Sequence, residues 1–544
     1  MRQPPKKSSW EKTLAQGACR PRVGWTRRRT HAAGDSETAL WQNWPMASLS
    51  GSDGRTAVVA PTSGGQVSWS GSAWLALWTT GIVLALNLYA PAEPSLWVRL
   101  LGSAIIVVAA FATWIWNSGY DPYTAFVPFF VVIYSIHFAL PVFILMAYIY
   151  SLGGHAVTEV YVEQALALAL LGLICTLAGY YLVVLTTLRE RLPKFRMQWC
   201  PQGGLNVWGY LLGAVGVVVW IITRVVELPP GVKQFGDLGG DLCVLGMLML
   251  FFLQLEGRLG WIGKLYLWGV LLPLRTFLAL GTGQIFQAMP PILALLVAHG
   301  TIRRRIAWLA LLGGLFGFGL LQPFKSSFRN LAWQGGVASN RSLTQKAGIY
   351  VDLGRTFWQN PPPAELVLAT AMIRLSHITE LANVVSETPA SVPYWRGDTY
   401  YPLFFKWIPR FLWEDKPKEE AGQAFGHRYN FIPLMDYKTA WNLPQLSEFY
   451  ANFGVPGVII GMFAMGLIYG CLQACFIHRA SGIGAVVGII FLLNEFFLIE
   501  VNTSYLLGQV FDKALMLALL NPLLRIRWTS LPVAQTAGNV ITLR

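Results

Sequence analysis

From Trp74 onward the chain repeats apolar runs of about 20 residues, separated by short polar or basic connectors. As helices, runs of that length cross a hydrocarbon core of roughly 30 Å. The pattern predicts twelve spans, at 71–90, 97–116, 124–150, 163–188, 205–223, 238–255, 261–280, 284–300, 306–322, 452–476, 483–500 and 505–524. The expected fold class is therefore an all-α integral membrane protein with about 12 transmembrane helices and a large, partly helical extracytoplasmic loop between helices 9 and 10. The domain boundaries that follow are nine spans in 69–322, the loop at 323–451, three further spans in 452–524 and a tail at 525–544. Spans 261–280 and 284–300 are joined only by Gly281-Thr282-Gly283, a turn so tight that it needs glycine. Residues 1–68 are basic, then rich in Gly, Ser and Thr, and are read as a disordered cytoplasmic arm, with a translation start at Met46 as the alternative.

The loop has its own pattern. From Ala364 to Val385, Leu366, Ala369, Ile373, Ser376, Ile378, Leu381 and Val385 recur near helical spacing, with Glu365, Arg374, His377 and Glu380 between them. One amphipathic helix is predicted there, closed downstream by Pro389. An aromatic stretch follows, from Tyr394-Trp395 through Tyr400-Tyr401 to Phe404-Phe405-Lys406-Trp407. Tyr and Trp with interspersed Arg and Lys suit a membrane interface, and their rings also suit stacking on sugars.

Composition confirms lipid as the solvent: 54% of the 544 residues are hydrophobic and 12% are charged, against roughly 25% charged in soluble domains. The net charge of +14 does not mark a nucleic-acid surface. Its clusters, Arg27-Arg28-Arg29, Arg189 to Arg196, Arg303-Arg304-Arg305 and Arg525 to Arg527, fall on one side of the predicted topology, as the cytoplasmic side requires. Twelve spans then place both termini in the cytoplasm. The loop has no cysteine, which excludes a disulfide framework or thiolate zinc site in it. It has two histidines and no D-x-D pair, so no metal site is expected. GxGxxG, P-loop, G-x-S-x-G and H-E-x-x-H patterns do not occur, which argues against nucleotide-dependent and hydrolase chemistry and against a bound cofactor.

The densest polar cluster in the loop runs from Ile408-Pro409-Arg410-Phe411-Leu412-Trp413-Glu414-Asp415-Lys416-Pro417 to Gly422, Phe425-Gly426-His427-Arg428-Tyr429, and ends in Glu448-Phe449-Tyr450-Ala451-Asn452-Phe453-Gly454. These segments resemble the Wzy-type O-antigen and exopolysaccharide repeat-unit polymerases, whose junction into the next span has the form E-x-Y/F-x-N-F-G. The specific similarity covers about 80 residues, Arg374 to Gly454. The resemblance implies a metal-independent glycosyltransferase of the GT-C type in the bacterial inner membrane. It would move a glycan from a polyprenyl-diphosphate carrier to a lipid-linked repeat unit, with a flippase and a chain-length regulator as partners. An O-antigen ligase is the alternative within enzymes, and a flippase or transporter outside them.

Such chemistry asks for cations to hold the diphosphate and a base for the acceptor hydroxyl. Arg275 is the cation placed inside a span, where a charge costs about 2.5–3.5 kcal/mol to insert, or else snorkels to the interface. Arg374, Arg410 and Lys416 are the loop cations, with Arg410 also assigned to catalysis. Glu448 is the expected base, His377 and His427 being alternatives. Tyr400, Trp413 and His427 complete the expected substrate-binding set. Asn494-Glu495, Glu500 and Asp512-Lys513 are further buried polar groups, the adjacent Asp512 and Lys513 needing separate partners.

Overall fold

A computed structural model describes residues 69–531, apart from 90–93, 145–156, 200–203, 226–229, 282–287, 333–342, 407, 409–412, 414, 417–419, 437–438, 478–482 and 525. The chain is mostly helical. In order it forms α1 (Trp69–Tyr89), α2 (Leu96–Asn117), α3 (Phe126–Phe138), α4 (Glu159–Val184), β1 (Lys194–Trp199), α5 (Gly204–Val225) and α6 (Pro230–Leu255). Helix α7 starts at Trp261–Leu265, passes through a π-helical stretch, Tyr266–Leu271, and ends as Leu272–Gly281. Then come α8 (Met289–Arg303), α9 (Trp308–Ala332), α10 (Leu343–Gln359), α11 (Ala364–Leu375), α12 (Ile378–Glu387), α13 (Ala421–Arg428), α14 (Gln445–Phe476), α15 (Ile483–Leu493), α16 (Thr503–Leu519) and β2 (Ile526–Leu531).

Five stretches among the described residues are long and apolar enough to cross a membrane: Leu96–Asn117, Glu159–Val184, Gly204–Thr223, Trp261–Ala279 and Gln445–Phe476. Shorter apolar helices, among them Phe126–Phe138 and Met289–Arg303, accompany them. The predicted turn at Gly281-Thr282-Gly283 and the predicted N-terminal arm fall on or into residues outside the described ones.

Two helix pairs pack at backbone distance. A Cβ at Gly466 of α14 would overlap the Thr176 carbonyl of α4, and one at Gly179 would overlap the Phe463 carbonyl. Likewise Gly216 of α5 lies on the backbone of Cys243 in α6, and Gly246 on that of Gly213. Lipid tails are as apolar as leucine, so helices in a bilayer gain by close packing over small residues.

Contacts define two ends of the bundle. At one end β1 pairs antiparallel with β2, Lys194 facing Leu531, and the Lys194 ammonium donates to Ala474 O near the end of α14 at 2.7 Å. Gln473 accepts from the Thr124 amide at 3.0 Å, and Arg304 donates to Tyr123, Trp116 and Asp121 carbonyls while lying 4.5 Å over the Trp116 ring. Three of the basic clusters thus meet at this end. The ribbon is a small departure from the all-α expectation, made by segments that overlap two of those clusters. The first turn of α14, the end of α3 and the start of α16 lie at the opposite end, with the loop helices.

The helix predicted over 364–385 is broken. Ser376 adopts an extended ψ of 106° and ends α11, and His377 opens α12. The His377 amide donates to His137 O on α3 at 3.1 Å instead of continuing the helix, and Ser376 Oγ pairs with Thr379 Oγ1 at 3.1 Å. A tertiary acceptor has replaced a local one. Helix α14 starts at Gln445, seven residues before the predicted span. The span predicted at 483–500 stops being α-helical at Leu493 and continues as a 3-10 turn, Asn494–Phe497, leaving Glu500 in the connection to α16.

Candidate functional site

The aromatic stretch and the E-F-Y-A-N-F-G junction fold against each other. Asn452 is the fastener: its carbonyl accepts from the Arg396 amide (3.3 Å) and its Oδ1 from the Gly397 amide (2.8 Å). Its Nδ2 donates to Thr399 Oγ1 (2.9 Å) and Glu448 O (2.8 Å). The Trp395 amide adds a bond to Ala451 O at 3.0 Å. Gly454 has φ +65°, and a Cβ there would meet the Tyr394 hydroxyl at 2.8 Å, so this position requires glycine. Arg396 and Gly397 both have positive φ, 53° and 101°, and turn the chain into a 3-10 segment, Asp398–Phe404.

That turn builds an open cleft of about 370 Å³ lined by Arg396, Gly397, Asp398, Tyr401 and Phe404. Arg396 and Asp398 are exposed, as are the Tyr401 and Phe404 rings, at 61% and 76%. A cation, a carboxylate and two aromatic faces are thus presented together. Sequence reasoning passed over Arg396 and Asp398, although Trp395-Arg396-Gly397-Asp398 interrupts the aromatic run with opposite charges flanking a glycine.

A second group is buried beneath the loop helices. Arg374 makes a bidentate pair with Glu500, Nη1 to Oε2 at 2.7 Å and Nη2 to Oε1 at 3.1 Å. Asn442 Nδ2 donates to the same Oε2 at 2.9 Å. His377 places Nε2 3.5 Å from Glu500 Oε2 and Nδ1 3.5 Å from Glu380 Oε2, which also accepts from Trp441 Nε1 at 3.2 Å. The His137 ring stacks on His377 at 4.8 Å, its Nδ1 bonded to Leu375 O at 2.7 Å. Burial pushes the Glu380 carboxyl up, against the pull of His377. Burial also acts to raise Glu500, but Arg374 and His377 together outweigh it and hold that carboxyl well below the usual range.

The predicted residues take several places. Glu448, expected at the mouth of a cavity, is fully buried in the first turn of α14, and its Oε2 accepts the Thr503 amide at the start of α16 at 2.6 Å. A carboxylate there complements the helix N-terminus. The expected base thus stands enclosed in this structure, where its carboxylate holds the start of α16. Tyr400 stacks within the fold on Phe449 (6.2 Å) and Phe453 (6.3 Å), leaving Tyr401 as the tyrosine in the cleft beside Phe404. Lys416 is buried and donates to Lys406 O (2.9 Å) and Ile408 O (2.7 Å), tying down the loop backbone. Arg275 is buried on α7 with its guanidinium 4.9 Å over the Trp220 ring of α5, rather than snorkelling outward. Trp413 is 39% exposed and meets Phe405 edge-on at 5.8 Å, and His427 is half-buried on α13. Arg410 lies outside the described residues. Lys513 pairs with Glu495 at 2.5 Å, while the charges facing Asp512 are those of Lys406 and Lys416.

Residues 210–528, more than half of the chain, match a family described as Domain of unknown function (DUF8712). The chain belongs to the DUF8712 family. The matched region runs from within α5 into β2 and contains the cleft together with Arg374, His377, Glu380 and Glu500, so both features lie in the DUF8712 portion, while His137 lies before it. No curated protein and no solved structure matches the chain.

Proposed function

We propose that the protein is a metal-independent membrane glycosyltransferase of the Wzy-like polymerase type. It transfers a growing glycan from a polyprenyl-diphosphate carrier to a lipid-linked repeat unit at the periplasmic face of the bacterial inner membrane. The topology in this reading is twelve spans with both termini in the cytoplasm, and the working partners are a flippase and a chain-length regulator. The observation that carries it is the cleft of Arg396, Asp398, Tyr401 and Phe404, fastened to α14 by Asn452. In this scheme the acceptor hydroxyl attacks the anomeric carbon while its proton passes to Asp398, the exposed carboxylate. The bond from that carbon to the diphosphate oxygen breaks, and Arg396, with Arg410 in this reading, holds the departing charge. Tyr401 and Phe404 stack on the sugar rings.

Purified protein in lipid nanodiscs, given a polyprenyl-diphosphate-linked repeat unit, should yield polymer on product sizing, and should do so in excess chelator. Recovery of repeat units unchanged in size overturns the proposal, and transfer to a different acceptor assigns the ligase reading. Asp398→Asn and Arg396→Ala should each lower the rate by about 100-fold or more, as should Arg275→Ala and Arg410→Ala. Arg410→Lys should rescue poorly, because an ammonium does not reproduce a bidentate guanidinium contact. The buried Lys513–Glu495 pair within the helices favours a second reading, a transporter. Movement of substrate across proteoliposomes without bond formation would select it.

A further inference from the structure

We infer that Glu380, His377 and Glu500 form a binding site for a single proton, and that this proton fastens the loop helices α11 and α12 to the transmembrane bundle. The site is separate from the cleft and does not depend on the glycosyltransferase reading. Both ring nitrogens of His377 face carboxylate oxygens, each at 3.5 Å, and ionised carboxylates only accept hydrogen bonds. A neutral imidazole has one N–H, so one of its nitrogens would turn a lone pair toward an anion. An imidazolium donates on both sides.

Charge counting gives the same answer. Arg374 contributes one positive charge and Glu380 and Glu500 two negative ones, in a region where His377 is 3%, Glu380 6% and Glu500 9% exposed. One added proton makes the group neutral; without it a net negative charge is buried, which is costly. The groups facing His377 from every packed element are consistent with one proton. Arg374 is on α11, Glu380 on α12 and Glu500 in the turn before α16. Trp441 and Asn442, ahead of α14, donate to the carboxylates. His137 of α3 donates Nδ1–H to Leu375 O and stacks on the His377 ring, leaving no room for a second cation face to face.

The proton has a mechanical consequence because the bonded groups sit on different parts of the chain: α11 and α12 in the loop, Glu500 in the connection between the last two membrane helices. Burial pulls His377 down, but its ionic contacts with Glu380 and Glu500 together outweigh that and leave it above the ordinary histidine value. A group raised on folding contributes stability that is fully present below its unfolded value, about 6.5, and is lost as pH rises through the higher folded value. The loop helices therefore hold at acid and neutral pH and loosen on the alkaline side.

Hydrogen exchange of peptides covering 364–387, measured on the full chain in nanodiscs from pH 5.5 to 9 and corrected for intrinsic exchange, tests this. Wild-type protection should fall at least ten-fold as pH rises above 6.5, while peptides from α4 stay protected. His377→Gln, which cannot carry the charge, should be loose and flat across the range. Glu380→Gln, which removes the anion that demands the proton, should be protected and flat. Constant protection in the wild type overturns the inference, and so does either variant keeping the wild-type midpoint.

Discussion

The α4–α14 pair and the docking of α11–α12 are both buried, yet they are held by opposite means. Between α4 and α14 the closest contact is backbone on backbone over Gly179 and Gly466. Under the loop helices the contact is Arg374, His377, Glu380 and Glu500, with few ways to substitute any of them. The first depends on shape and should be indifferent to pH and salt. The second depends on a balanced charge count, so the loss of one member leaves the others uncompensated. A helical bundle can thus be rigid while a loop docked on it stays responsive.

The hardest break of that contrast is Arg374→Ala, which strands Glu500 in a buried site and should cost about 3–5 kcal/mol. Exchange or proteolysis should find the loss in 364–387 and spare α4. Next, Gly466→Leu forces a side chain into the Thr176 carbonyl and should cost about 1–3 kcal/mol or more. Thermal unfolding of the whole bundle should register it equally at pH 6 and pH 8.5. Asn452→Ala removes the loop fastener and should cost about 1–3 kcal/mol, seen as faster exchange of 395–404 with an intact bundle. Acid gives a subtler effect. Because Glu500 is lowered on folding, its contribution is present above its unfolded value of about 4.3 and is lost only as pH falls through the lower folded value. Docking should therefore survive at pH 4, and its loss already at pH 5 would contradict the Arg374 pairing. Smallest of all, the double change Lys513→Met with Glu495→Leu should leave stability within about 1 kcal/mol, since a buried pair replaced by apolar groups is near neutral. A large loss would place that pair with the loop cluster as an essential charge group.

The sequence by itself determined the apolar helices and the ingredients. Runs of apolar residues are local, so they reveal helices apolar enough to cross a membrane, and a charge that stands out in such a run, as at Arg275, Glu495 or Lys513, is visible at once. The junction Glu448 to Gly454 and the aromatic stretch before it were also legible as special, although the role of the junction was not. Asn452 fastens and Glu448 receives the α16 amide, and neither fact can be seen until Thr399 and Thr503 are brought alongside. Tertiary structure alone decided the groupings. Arg374 and Glu500 are 126 residues apart, and no periodicity relates them. The break at Ser376 and His377 goes against the helical pattern because a carbonyl on α3, 240 residues earlier, offers the His377 amide a partner. Hydrophobic periodicity reports which face of a segment is buried. It carries no information about which polar group will be waiting there, and in this protein that partner sets the charge and protonation of the site.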